Sequence, residues 1–215
     1  MRFRNIVMPL IVANAIVFIL QIVLGINFTE AFMLISADIF KRPWILLTSM
    51  FLHGGLNHLL FNMYALFLFG ILLEQKIGAK KFAFIYLLAG IAASVFSSFI
   101  YPSLTGTVFR ALGASGAIMG IIGALIILMP NLRLLFLFAI PMPLWVAGII
   151  WILIDIFGIF VPSGIANIAH LVGIGTGLLF GLYLKRQRKD FQRKFSSKTH
   201  MDTEDIEEYF KTGRI

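Results

Sequence analysis

Long apolar runs, separated by short polar breaks, organise this chain. Six of them are long enough to cross the roughly 30 Å hydrocarbon core of a bilayer as helices. They cover residues 6–26, 56–73, 82–101, 111–129, 143–161 and 165–184. Apolar sequence before the fifth run begins at Leu134, but Pro141 and Pro143 interrupt it. A proline suits the first helical turn, where its missing N–H has no intrahelical partner to lose. The fifth span is therefore expected to start at Pro143. The first run follows Arg2 and Arg4 and contains an Ala13-Asn14-Ala15 triplet, features shared with a signal peptide. Its apolar stretch continues well past that triplet, which favours a membrane anchor.

The connection at residues 27–55 is too apolar for an ordinary aqueous loop. Glu30, Asp38, Lys41, Arg42 and Pro43 break it too often for it to span. It is expected to lie in the outer interface with Trp44 at headgroup level. After Leu184 the chain turns basic (KRQRKDFQRKFSSK) and then acidic (DTEDIEEYF). Residues 1–184 thus read as an all-α membrane domain. Residues 185–215 read as a tail that rests its basic part on anionic lipid.

Composition strengthens this picture. Hydrophobic residues make up 60% of the chain and charged residues 13%, about half the charge of a soluble domain. The absence of cysteine removes disulfides and thiol nucleophiles from consideration. The net charge of +8 comes without a base-reading fold or basic–aromatic groove, so nucleic acid is not an expected partner. Lys and Arg set the orientation. With six spans and both termini inside, the inner segments carry fifteen of these residues, and the outer loops only Lys41, Arg42 and Arg110. The expected location is a prokaryotic plasma membrane with both termini cytoplasmic.

Polar groups inside such spans are costly and call for a reason. His58 and Asn62 lie four apart on one face of span two, Asn167 and His170 three apart on span six, and Ser115 opens span four. These three spans all run from outside to inside. Each cluster therefore lies within roughly 10 Å of the outer helix ends. Gly173, Gly177 and Gly181 form a smooth ridge on span six, and Gly116 and Gly120 another on span four. Small residues at this spacing let membrane helices approach closely. Facing ridges would bring Ser115 and His170 within hydrogen-bond reach. A serine hydroxyl beside a neutral imidazole suits nucleophilic acyl transfer. His58, Asn62 and the backbone N–H of Ser115 are candidate donors to an oxyanion, and the glycines flanking Ser115 leave room for a substrate backbone.

GASG at 113–116, HLLFN at 58–62 with His53 upstream, and AHLVGIGTG at 169–177 together resemble the rhomboid intramembrane serine proteases. The resemblance implies a six-transmembrane-helix bundle with a membrane-embedded first loop. It also implies a Ser–His dyad, with Ser115 as nucleophile and His170 as base and then acid. His58, Asn62 and Ser115 would form the oxyanion hole, and Gly113, Gly116, Met119 and Asn167 would line the substrate site. Substrates would be single-span membrane proteins cut within or near the outer part of their helix, without a cofactor or metal. Glu74 matches an acidic position with a structural role, and span five adjoins the family's suggested lateral gate. Two positions depart from the family pattern. Many members have Trp-Arg in the first loop, where Trp44 is followed here by Ile45, and the residue four after the serine is often aromatic, where this chain has Met119.

Other readings compete. His53 is expected at a loop–helix junction, holding the first loop. A metal set of His53, His58 and His170 lacks an HExxH pattern and a shared helical face. Asp155, the carboxylate within span five, is expected to be a structural group facing the bundle, although its depth resembles that of His170. A rhomboid-like protein that binds membrane clients without cutting them, and a small transporter or channel lined by the histidines, are the alternative functions.

Overall fold

The computed structural model describes residues 5–136, 139–161, 165–196 and residue 207. Arg2 and Arg4, used for orientation, and nearly all of the acidic stretch of the tail lie outside the described residues. Helix α1 (Val7–Leu24) starts where the Glu74 carboxylate accepts the N–H groups of Ile6, at 2.7 Å, and Val7, at 3.3 Å. The first N–H groups of a helix lack intrahelical partners, and Glu74 supplies them from a buried position. This is the structural role expected of it.

Residues 27–55 form no single long helix, as their broken apolar pattern required. They contain most of α2 (Ile26–Phe32), then β1 (Leu34–Ile35), a 3-10 turn at Ser36–Asp38 and α3 (Ile45–Thr48). Leu34, Ile39 and Ile45 from this segment pack with Phe109 in a small core of their own. The Arg42 guanidinium donates to Asp38 Oδ2 at 2.7 Å and to the Glu30 carbonyl at 2.9 Å. An arginine two residues before Trp44 thus pins the loop, where the family pattern has one directly after the tryptophan. Gln21 ties the far end of the loop to α1, accepting from His53 N–H at 2.9 Å and donating to the His53 carbonyl at 3.2 Å. His53 does hold the loop, through its backbone.

Helices α4 (Leu56–Ala65) and α5 (Ile71–Ile77) run on continuously through one wide π turn at Leu66–Gly70. Gly78, with φ 81°, reverses the chain into α6 (Ala79–Thr105). The strand β2 (Arg110–Ala111) pairs antiparallel with β1, Leu34 opposite Ala111. Helix α7 (Ser115–Leu128) therefore starts four residues later than the expected 111, because the preceding residues are committed to pairing with the first loop. A hairpin of β3 (Arg133–Phe136) and β4 (Ile140–Pro143) follows. Pro141 and Pro143 alternate on β4, so both missing N–H groups fall on one edge. Leu144, in step with the opposite edge, donates to the Leu132 carbonyl. Helix α8 (Leu144–Gly158) begins directly after Pro143, and α9 (Asn167–Ser196) completes the order.

Each of the six apolar runs is helical. Val7–Leu24, Leu56–Ile77, Ala79–Thr105 and Asn167–Asp190 are long and apolar enough to cross a membrane. Helices α7 and α8 are apolar but have 14 and 15 residues, roughly 21 to 23 Å at about 1.5 Å per residue. The bundle has an apolar core like a soluble protein, but its outer surface is apolar too. Asn14, Glu74, Ser97 and Asp155 are buried, while Val23, Phe61, Phe84 and Leu179 face outward. Lipid is the solvent that suits such a surface, and the chain is an integral membrane protein.

Helix α7 sits between α6 and α9, its buried Ile121 and Leu125 in the main core. The glycines meet as the ridges suggested, with one refinement. A Cβ on Gly173 would run into the Gly116 carbonyl oxygen, and one on Gly177 into that of Gly120. The open sides of Gly116 and Gly120 face Ala93 and Ala89 of α6. Gly123, outside the ridge read from the sequence, is the α7 glycine whose missing Cβ admits the α9 backbone at Ile174. Gly175, by contrast, faces open space. Gly177→Ala is expected to cost about 1–3 kcal/mol of stability, because the obstacle is backbone that cannot swing aside. Gly175→Ala should be no less stable than wild type. Unfolding midpoints in detergent check both, and equal midpoints for the two variants would contradict the close contact.

Candidate active site

Ser115 is the first residue of α7, at the end of a segment fixed from two sides. Ser36 N–H donates to the Phe109 carbonyl, Phe109 N–H to Ser36 Oγ, and Gly113 N–H to the Ser49 carbonyl, each at 2.9 Å. Gly113 has φ +126°, a conformation that side chains rarely adopt. It turns the chain so that α7 begins with the serine. His170 lies one turn into α9, above Gly173, whose contact with the Gly116 carbonyl sets the register of the two helices.

The result is a direct pair. His170 Nε2 lies 2.9 Å from Ser115 Oγ. The opposite ring nitrogen, Nδ1, lies 3.0 Å from Asp155 Oδ1 on α8. The side chains of His170 and Asp155 are only 14% and 8% exposed, so both contacts form away from bulk solvent. Asp155 does face the bundle, and its partner there is the imidazole itself. Its depth along span five was a hint, but the pairing depends on how α8 packs beside α9.

His58 is half-buried at the start of α4. Gly54 N–H donates to its Nδ1 at 3.2 Å, which leaves the proton on Nε2. That Nε2 lies beside Gly113, since a Cβ built there would come within 2.9 Å of it. Asn62 is buried one turn further on, and its Nδ2 donates to the His58 carbonyl at 2.9 Å. His53 stacks edge-on against His58 with ring centroids 5.1 Å apart. Burial, with the His58 ring beside it, lowers the His53 pKa to about 4, so its imidazole is neutral. Both ring nitrogens of His170 are taken by Ser115 and Asp155, and among the described residues no three histidines or carboxylates converge as ligands for a metal.

A small cleft opens at the serine, lined among others by Gly113, Ser115, Gly116, Ser94 and Ala169. Met119 lies deeper, packed at Gly173. Asn167 is at the start of α9, its amide against Gly158 at the end of α8. The structure therefore brings Ser115, His170, Gly113 and His58 together, and adds Asp155 to them.

Comparison with known proteins identifies the family. The model of the Rhomboid domain matches residues 41–187. The chain is 34% identical over 200 residues to the mitochondrial Rhomboid protein 1 of Saccharomyces cerevisiae, covering 90% of this chain and 58% of that protein. It is 32% identical over 166 residues to the mitochondrial RHOMBOID-like protein 6 of Arabidopsis thaliana, covering 72% of this chain and 48% of that one. It is 37% identical over 134 residues to the Rhomboid protease GluP of Bacillus subtilis, covering 62% of this chain and 24% of that protein. The chain thus spans little more than half the length of these relatives, or less. Relatives named as mitochondrial stand beside a bacterial one, so they do not single out the prokaryotic plasma membrane expected from the sequence. The match extends from the first loop, across the serine, the histidine and the helices that carry them, to the start of the tail, and on it the chain belongs to the rhomboid family.

Proposed function

We propose that the chain is an intramembrane serine endopeptidase. Its substrates are single-span membrane proteins, cut within or near the outer part of their helix. The observation that carries this reading is the 2.9 Å contact between Ser115 Oγ and His170 Nε2. As Oγ bonds to the scissile carbonyl carbon, its proton passes to Nε2. Nε2 then gives that proton to the leaving nitrogen as the C–N bond breaks, forming an acyl-enzyme. Water attacks the ester with Nε2 again taking the proton, which returns to Oγ as the ester bond breaks.

The oxyanion would be met by the Ser115 N–H, in the first turn of α7 where N–H groups have no intrahelical partner. The His58 Nε2–H beside Gly113 would be a second donor. The Asn62 amide, now bonded to the His58 carbonyl, would be a third after a side-chain rotation. Gly113, Gly116, Met119 and Asn167 belong to the substrate-site walls in this reading. Residues 1–184 form the membrane domain, with six spans and both termini on the cytoplasmic side, and residues 185–215 form the tail. Ser115 at the head of α7 then lies near the outer surface, where a substrate helix end would be presented.

A fluorophosphonate probe should label Ser115 in detergent, and the protein should cut a model transmembrane substrate. Ser115→Ala and His170→Ala should each lower the rate by about a thousandfold or more. Wild-type cleavage by either variant would rule out the protease and leave the client-binding or transport readings. His58→Ala should reduce kcat by about 10²–10³-fold, the usual effect of removing one oxyanion donor. A loss under about threefold would remove His58 from the oxyanion hole.

A further inference from the structure

We infer that Asp155 is a positioning residue for His170, so that the site works as a Ser–His–Asp triad across three helices. The inference rests on the protease reading. Neutral imidazole has one nitrogen that donates and one that accepts. An ionised carboxylate only accepts, so the 3.0 Å contact at Nδ1 places the proton there. Nε2 is then bare, and it is the nitrogen that faces Ser115 Oγ at 2.9 Å. A free histidine side chain favours the opposite tautomer, with the proton on Nε2, in which the ring has no lone pair to offer the serine. Two bonds on opposite sides of the ring also fix its rotation about χ2.

The burial of Asp155 supports the same conclusion. A carboxylate with its side chain 8% exposed in an apolar bundle is expensive, and a partner that becomes positive helps to offset that cost. His170 does so each time Nε2 takes the serine proton. The carboxylate then faces an imidazolium and stabilises it, while the Nδ1 proton stays on the ring. Asp155 neither gains nor loses a proton in the cycle. Among the described residues, Asp155 from α8 is bonded to His170, and His58 from α4 is a second titratable side chain near it. Changing Asp155 leaves the second side chain in place, so its effect on the pH profile can be read alone.

The test measures kcat, KM and the pH profile of wild type, Asp155→Asn, Asp155→Ala and Asp155→Glu on one transmembrane substrate. Asp155→Asn and Asp155→Ala should lose at least about tenfold in kcat, up to the about 10⁴-fold seen when the aspartate of a soluble triad becomes asparagine. KM should change little. The acid limb of the kcat/KM profile should differ from that of the wild type, because the carboxylate bonded to Nδ1 is gone. Asp155→Glu should recover part of the rate. A fold-supporting carboxylate would move neither the acid limb nor kcat separately from stability. Nitrogen NMR of the wild-type His170 ring gives a readout that needs no variant to fold: at neutral pH it should show Nδ1 protonated and Nε2 bare. An Nε2-protonated ring, or folded Asp155→Asn and Asp155→Ala with wild-type kcat and acid limb, overturns the inference. If Ser115→Ala and His170→Ala are inactive in that same experiment, the protease reading survives it. If the wild type neither cuts nor takes the fluorophosphonate, both fall together.

Discussion

The contact on which the rest of the structure depends is backbone against backbone between α7 and α9. Gly173 and Gly177 lie so close to the carbonyl oxygens of Gly116 and Gly120 that a single methyl group at either would not fit. In lipid there is little hydrophobic force to draw helices together, and such close van der Waals packing takes its place. The contact also fixes register. Ser115 is one residue before Gly116, and His170 is three before Gly173, so the placement of these glycines determines how the hydroxyl and the imidazole meet. A side-chain-mediated interface would hold the helices farther apart and leave their sliding less constrained.

Around this contact the polar groups divide by task. Glu74 caps α1, Gln21 and Arg42 hold the first loop, and the β1–β2 pairing with the Gly113 N–H bond to Ser49 holds the segment entering α7. These bonds spare the bilayer-facing protein the cost of unpaired backbone, and each one lies on a segment that leads to Ser115 or His58. Stability and site geometry therefore share the same bonds. Among the described residues, the Asp155–His170–Ser115 chain is the one whose hydrogen bonds end on the proposed nucleophile.

Much of this was legible in the sequence because the bilayer imposes coarse rules. A spanning helix needs a long apolar run, so the starts of the six helical segments could be located to within a few residues. Pro143 marked the start of α8. Ser115, His170 and the facing glycines were legible because the polar exceptions were few. What escaped were contacts between distant positions. Helix α7 starts at Ser115 rather than 111 because Ala111 pairs with Leu34, far back in the first loop. Arg42 pins the first loop from two residues before Trp44, which spacing alone does not reveal. Gly123 stands off the Gly116–Gly120 line, yet it is the glycine that opens α7 toward the α9 backbone. Asp155 was visible as an odd carboxylate at the right depth, but its direction follows from the packing of α8, on which a one-dimensional pattern is silent.

The most direct measurement is the rate at which a fluorophosphonate labels Ser115 in Gly173→Ala and Gly175→Ala, with both variants verified as folded. A methyl at 173 meets the Gly116 carbonyl, whereas one at 175 meets nothing. The account predicts wild-type labelling for Gly175→Ala and a loss of about a hundredfold for Gly173→Ala, the scale expected from a displacement of about 1 Å in a reacting pair. Labelling of folded Gly173→Ala at the wild-type rate would contradict it, because the serine would then be activated without the contact that brings it to the imidazole.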